Sequence, residues 1–444
     1  MSELNGFNHH LYRSDSGATG HLPALLLALI LFPVATPLCA ETLAQAWDTA
    51  ITYDHALKSV QRQSEAAAQN LAAARAVRIP SVDLKSGYRV LDNTPTAKAA
   101  FGGQAVEFPV AEQNSFSASA MTTLPIYTSG RIGNGIDAAD ALLQASRGDE
   151  QTALQDLKLA TAERYVGVLR AQRNTAVAQT DVRNLQGHYR DVRSLGKQGM
   201  VPRNDVLAVE AALADAKQRR LRASNALDIA HSAYNRLLGR PMAAAVELDE
   251  LPESLPVAEL QALNQAALEH RSELKVLSDQ VQALQHQARV TRAADGPQIA
   301  LQGGYQFQDN QFQVHQGVWS VNLGLSWNIF DGGLTRRQGE ALQRQALALQ
   351  ERLQDLHSRI LLQVRQAWLN LNETRQRVQV TQSAIQSASE NLRVMRARYH
   401  EGLATNTEVL DAESLDTRSE SNYADARYDF ILAGLRLQRA VGQI

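Results

Sequence analysis

A single cysteine, Cys39, stands in the whole 444-residue sequence. It falls in an N-terminal apolar stretch, His21–Ala40, that reads as a secretory signal (1–40) with cleavage after Ala40. The processed chain is then expected to hold no disulfide and no thiol chemistry. Thr36-Pro37-Leu38 lacks the small residue expected just before a lipidated cysteine, which disfavours lipidation. The stretch is short for a membrane span, so an N-terminal anchor is the weaker alternative. Residues 1–20 hold only Arg13 as a firm positive charge, which fits a working start downstream of Met1.

An excess of one charge is also missing. The 44 Lys+Arg face 46 Asp+Glu, a balance that argues against a nucleic-acid binder with its basic stripe. Aromatics are 5% of the chain, which favours long helices with small-residue seams over one broad globular core. Beyond the signal no run of 18 apolar residues occurs, so a membrane crossing, if made, is made by strands. The 11 histidines are scattered, none in HExxH spacing, and no GxSxG, P-loop or dinucleotide fingerprint occurs. They read as solvated or seam residues rather than metal ligands; no enzyme activity, cofactor or metal is expected.

What the chain does hold, it holds twice. Gly402-Leu403-Ala404-Thr405-Asn406-Thr407-Glu408-Val409-Leu410-Asp411-Ala412-Glu413 follows Gly199-Met200-Val201-Pro202-Arg203-Asn204-Asp205-Val206-Leu207-Ala208-Val209-Glu210 by 203 positions. Both glycines suit a helix C-terminus, where the chain turns through a left-handed conformation. Thr405 and Glu408 have the spacing of a capping box, and Pro202 takes the matching place in the first copy.

Taken in order, repeat 1 covers 41–240. It opens on one helix from Leu43 to Arg78, stopped by Pro80, followed by strands near 82–91 and 115–124. A Gly, Pro, Asn and Thr loop joins those strands, and Pro125–Gly130 reads as the turn into a helix over 131–198. A shorter helix over 205–239 completes the repeat, and 241–257, with three prolines, is the linker. Repeat 2 (258–444) follows the same programme: a helix, strands near 299–308 and 318–327, then helices over 334–401 and 407–442. Arg131 to Leu195 alone, at 1.5 Å per residue, makes about 100 Å of helix, too long for an ordinary domain. The distance from Gly130 to Gly199 equals that from Gly333 to Gly402, so the two hairpins are expected to pack side by side.

The strands alternate. Val82, Leu84, Tyr88 and Val90 oppose Asp83, Lys85 and Arg89; Trp319, Val321, Leu323 and Leu325 oppose Ser320, Asn322 and Ser326. Strands of this length, with Trp and Tyr near their ends, describe an outer-membrane barrel wall. A soluble half-buried sheet is the other reading of alternation. Four strands cannot close a barrel and an open edge is untenable in lipid, so several chains must share one. Three chains would give twelve strands.

These features resemble the TolC family of outer-membrane channel proteins over Leu43 to Ile444. The resemblance rests on the twofold repeat, on Pro125-x-Tyr127-x-x-Gly130 and Asn328-x-Phe330-x-Gly332-Gly333 ahead of the long helices, and on the Gly-x5-Asp/Glu-Val-Leu turns. It implies a mostly α protein with a transmembrane β part. Two-repeat long-helix hairpins would form an α-barrel, and each chain would add four strands to a 12-stranded β-barrel shared by a homotrimer. The implied partners are outer-membrane lipid, a periplasmic adaptor and an inner-membrane transporter, in efflux or type I secretion. The resemblance also implies residue roles. Glu408 and Asp411 fall on a ring of acids narrowing the periplasmic mouth, and Asp205 and Tyr399 on a pair tying the hairpins together. An arginine reinforcing that lock is replaced by Ala404. Gly199, Met200, Val206, Leu207, Gly402, Leu403, Val409 and Leu410 fall on the surface that receives the adaptor. Plainer roles stand beside these: helix-start charge for Asp205 and Glu408, and packing for Tyr399. A periplasmic adaptor would carry one hairpin with soluble β-domains, and a structural coiled coil would need neither signal nor barrel strands.

Overall fold

The computed structural model describes residues 40–252 and 259–444. The signal stretch up to Cys39, and part of the linker, lie outside the described residues.

The first helix is broken rather than continuous. Helix α1 (Leu43–Tyr53) starts on a capping box formed by Thr42 and Gln45. Asp54 then takes an extended backbone conformation, and its carboxylate accepts the Leu57 N–H at 2.7 Å to start α2 (His55–Ala76). The expected single helix from Leu43 to Arg78 is thus corrected: an aspartate able to cap stops one helix by starting the next. Strand β1 (Ser81–Val90) follows. Where a loop was expected, β2 (Thr96–Phe101) and β3 (Gln104–Pro109) form a hairpin turning on Gly102-Gly103, both at positive φ. Lys98 and Glu107 pair across it at 2.7 Å. Strand β4 runs Asn114–Tyr127, past its expected end, because Pro125, which lacks an N–H, is taken up at an irregularity between Pro125 and Tyr127.

Helices α3 (Arg131–Lys197) and α4 (Arg203–Leu237) make the first hairpin. After the linker come α5 (Leu260–His270) and α6 (Ser272–Arg292), broken at Arg271, 217 positions after Asp54. Then come β5 (Gln298–Gln308), β6 (Gly317–Ser326), and a second hairpin of α7 (Leu334–His400) and α8 (Asn406–Ala440). Both long helices have 67 residues and both short ones 35.

The main sheet is antiparallel in the order β1-β4-β5-β6, with β1 and β6 at its edges. Its register places Leu84, Ala120, Tyr305 and Trp319 in one row across four strands, and Val82, Thr122, Gly303 and Val321 in the next. That apolar face is bare: Leu84 is 81% exposed and Trp319 79%. No helix among the described residues is long and apolar enough to cross a membrane.

The helical layer buries its faces unequally. Helix α3 packs on α2, α4, α6 and α8, and α7 packs on α8 and α6. Twenty-one residues of α3 are buried but only eleven of α7; seventeen of α8 but only five of α4. Leu221 and Ile229 on α4, and Leu347, Leu362 and Val380 on α7, stand exposed. Near the middle, Ala46 and Ala50 of α1 pack with Tyr165, Val166 and Leu169 of α3 and with Tyr428 and Ile431 of α8. There the Tyr165 hydroxyl lies between the carbonyls of Glu41 (2.6 Å) and Asp249 (2.7 Å).

Candidate functional site

The two hairpin tips are built alike. At the first, Gly199 sits at φ 74°; its N–H reaches the Gly196 carbonyl, and the Met200 N–H donates to the Leu195 carbonyl at 3.0 Å. At the second, Gly402 sits at φ 73° and the Leu403 N–H donates to the Arg398 carbonyl at 2.8 Å. Both are glycine C-caps that satisfy the last carbonyls of a long helix. The restarts differ: Pro202 opens α4 without a side-chain cap, whereas Thr405 opens α8 with a full capping box.

That box occupies Glu408. Its Oε2 accepts from the Thr405 N–H at 2.7 Å and from the Thr405 hydroxyl at 2.9 Å. Those bonds, the backbone one first, hold its carboxyl below the usual range, with the Arg398 charge adding to them. Asp411, three residues on, is exposed on the same side of the helix. Helix capping and a ring of charge are therefore compatible for Glu408, and Asp411 has no part in the cap.

The pair Tyr399 and Asp205 lies close together without a hydrogen bond between them. Tyr399 is buried, and its hydroxyl makes no hydrogen bond among the described residues. Burial first, then the nearby charge of Asp205, pushes its pKa up. What joins the hairpins here is a chain that sequence reading missed. His188 of α3 bonds through Nε2 to Asn406 Oδ1 at 2.8 Å, and Asn406 Nδ2 donates to the Asp205 carbonyl at 3.3 Å. Both side chains are buried, and the Tyr399 ring meets the His188 ring edge-on at 5.4 Å. The available signal was His188 lying between Leu185 and Val192 on the apolar stripe, where a polar group must find a partner.

The residues expected to receive an adaptor fall into two groups. Met200, Leu207 and Leu403 are exposed apolar side chains around Gly199 and Gly402. Val206, Leu410 and Ala404 are half-buried, packed on a cluster of Val192, Val209, Tyr399 and Val409. Val409 is wholly buried, so it braces the tip from within and offers no surface to a partner.

Away from the tip, a ladder of polar contacts crosses from α3 to α8. From the far end these are Asp156–Arg439 at 2.7 Å, Glu163–Arg436 at 2.7 Å, Arg170–Asp429, and Arg173–Glu420 at 3.0 Å. Nearer the tip, the Thr417 hydroxyl donates to Asp181 Oδ1 at 3.2 Å, and His188–Asn406 is the last rung. Asp181 is buried, and its other oxygen accepts from Arg219 of α4 at 2.8 Å, so it ties three helices. Within the second hairpin, Arg396 grips the buried Glu413.

Comparison with known proteins agrees with this architecture. The family model described as Outer membrane efflux protein matches residues 47–240 and 263–443. Outer membrane protein TolC of Vibrio cholerae serotype O1 is 22% identical over 433 residues, covering 95% of each chain. Alkaline protease secretion protein AprF of Pseudomonas aeruginosa is 26% identical over 317 residues, covering 68% of this chain and 64% of AprF. Among solved structures, the outer-membrane channel OprN matches with a TM-score of 0.77 at 19% identity over 90% of both chains. VceC from Vibrio cholerae matches at 0.75 and 17% identity, over 90% of this chain and 96% of that one.

Proposed function

The chain belongs to the outer membrane efflux protein family, and from that premise we propose that three copies close into a passive exit duct of a tripartite export system. Such a duct serves efflux or type I secretion across the outer membrane. The observation that carries the proposal is the unclosed sheet. Among the described residues edges β1 and β6 are unpaired, and the apolar face of the sheet is bare. Joining β6 of one copy to β1 of the next satisfies both edges and turns the apolar rows to lipid, giving twelve strands for three copies. The uneven helix burial supports the same closure: α7 and α4 keep the apolar residues that α3 and α8 have already covered.

In this reading the hairpins form a sleeve reaching about 100 Å into the periplasm. Its tip is the gate. Glu408 and Asp411 of three copies set acids around one axis, and Asp205 and Tyr399 belong to the fastening beside them. A periplasmic adaptor docks its own hairpin on the exposed Met200, Leu207 and Leu403, and an inner-membrane transporter supplies the energy. The duct itself performs no chemistry.

The test is purification from an outer-membrane fraction. Expected are heat-modifiable trimer bands and step conductances in planar bilayers. A monodisperse single copy that needs no detergent, or trimers that never conduct, would overturn the proposal.

A further inference from the structure

We propose that each chain binds an oxyanion of the phosphate class in a cavity where α8 ends against the start of α6. The proposal goes beyond the duct reading and does not rest on it, because every residue of the site belongs to one chain. The cavity, about 620 Å³, lies between α7 and α8, with Asp156 of α3 and Arg271, the residue before α6, also in its wall. Three arginines line the end nearest α6: Arg271, Arg436 and Arg439. Arg271 and Arg439 are each only 8% exposed, so their charges need compensation inside the protein.

That compensation is one-sided. Arg271 donates from Nε and Nη2 to the two oxygens of Glu273, at 3.0 Å each. Arg439 donates from Nε to Asp156 at 2.7 Å and from Nη2 to Glu273 at 2.8 Å. Arg436 donates from Nε and Nη2 to Glu163, at 3.0 and 2.7 Å. In all three, the nitrogen that no carboxylate takes is Nη1. On Arg271 it meets neutral oxygens alone, the Gln363 side chain at 3.2 Å and the Ala440 carbonyl at 3.0 Å, and both residues line the cavity. On Arg439 it is buried and has no partner among the described residues. An unpaired buried donor costs free energy until an acceptor reaches it. The acids at the other end are already engaged: Asp429 holds Arg170 and Arg377, and Glu373 has Arg377 at 3.7 Å. A water answers one such nitrogen, whereas a tetrahedral oxyanion answers three and meets their charge, and arginine matches phosphate geometry. Glu163, Asp156 and Glu273 balance the three arginines, so no excess charge draws in every anion. Hydrogen-bond geometry selects instead, which favours phosphate over chloride. Arg436, with its side chain 56% exposed, gives an ion from solution a way in.

The experiment is calorimetric titration of the full chain, purified in detergent and dialysed free of phosphate, with inorganic phosphate at pH 8. Chloride at matched ionic strength is the reference. Expected is one phosphate bound per chain and no chloride. Phosphate affinity should fall about tenfold or more in R439Q and in R436Q, the loss of one charged hydrogen bond. It should not change in R393Q, which removes an exposed, paired arginine elsewhere on α7. Arg439 ties α8 to α3 and α6, so if R439Q does not fold, R436Q decides alone. A second arm titrates glycerol phosphate: its binding assigns the site to a phosphate group carried on a larger molecule, and binding of inorganic phosphate alone assigns it to the free ion. Absence of phosphate binding, equal binding of chloride, or equal weakening in R436Q and R393Q overturns the proposal. Each of those results leaves the conducting trimer standing, and a single-copy protein that still binds phosphate defeats the duct alone.

Discussion

Replacing Arg396 with methionine removes the countercharge from one of the most enclosed acids in the protein. Glu413 is 2% exposed; its Oε1 accepts from Arg396 Nε at 3.0 Å and from Nη2, and its Oε2 makes no hydrogen bond among the described residues. Burial outweighs the arginine and pushes the Glu413 carboxyl up, with the charges of Asp181 and Asp416 adding to it. Breaking such a pair from one side costs about 3–5 kcal/mol. Because the Arg396 side chain is 38% exposed, solvent screening puts R396M at the lower end, about 3 kcal/mol per chain. The double variant R396M/E413L removes the stranded charge as well and is expected to recover most of that loss. A pH dependence follows. A carboxyl whose pKa is raised by folding favours the native state below its unfolded value, about 4.3, and loses that contribution as pH rises through the folded value. R396M raises the folded value further, so its cost is largest at pH 8 and shrinks toward pH 5. Guanidinium denaturation of the helix circular dichroism signal, at both pH values, measures this. A cost independent of pH, or a double variant no more stable than R396M, would refute the reasoning.

Other outcomes are expected at the tip. E408Q keeps the capping geometry, since glutamine also completes the box, whereas E408A loses about 1 kcal/mol of helix start. E408Q/D411N trimers should lose cation preference in bilayer reversal potentials, and unchanged selectivity would remove these acids from the gate. Burial lowers the pKa of His188, with Arg396 and His400 lowering it further and Asn406 and Asp191 opposing. Its contribution is then complete above the ordinary value of about 6.5 and is lost as pH falls through the folded value. Hydrogen-exchange protection of the tip amides should decline over that window, and H188Q should flatten the decline. G402A meets no atom within 4 Å but forces alanine to a φ of 73°. It should cost about 1–2 kcal/mol, read as a lowered thermal midpoint, and equal stability would deny the left-handed turn.

Much of this architecture was legible because its signals are local. Alternation in Val82–Val90 and in Trp319–Leu325 needs only neighbouring residues to reveal a strand, and Gly199 and Gly402 end their helices by their own backbone freedom. The hairpin across Gly102-Gly103 was also local, yet its six-residue strands lie among Pro95, Gly102, Gly103 and Pro109, which read as loop. The break at Asp54 had its capping residue in view; the break at Arg271 had none. His188 and Asn406 are 218 positions apart, and no local pattern pairs them. Val409 illustrates the converse limit: a motif position at the tip became core once Val192, Val209 and Tyr399 closed over it.

The two long helices have equal length, and this constrains how such a protein can change size. Removing residues from one would lift its tip by about 1.5 Å for each, leaving an uneven rim against which nothing could seat squarely. Excising one matched heptad from all four hairpin arms would instead shorten the reach by about 10 Å and keep the rim level. Lineages with a shallower periplasm are therefore expected to differ from this chain by paired deletions in steps of seven.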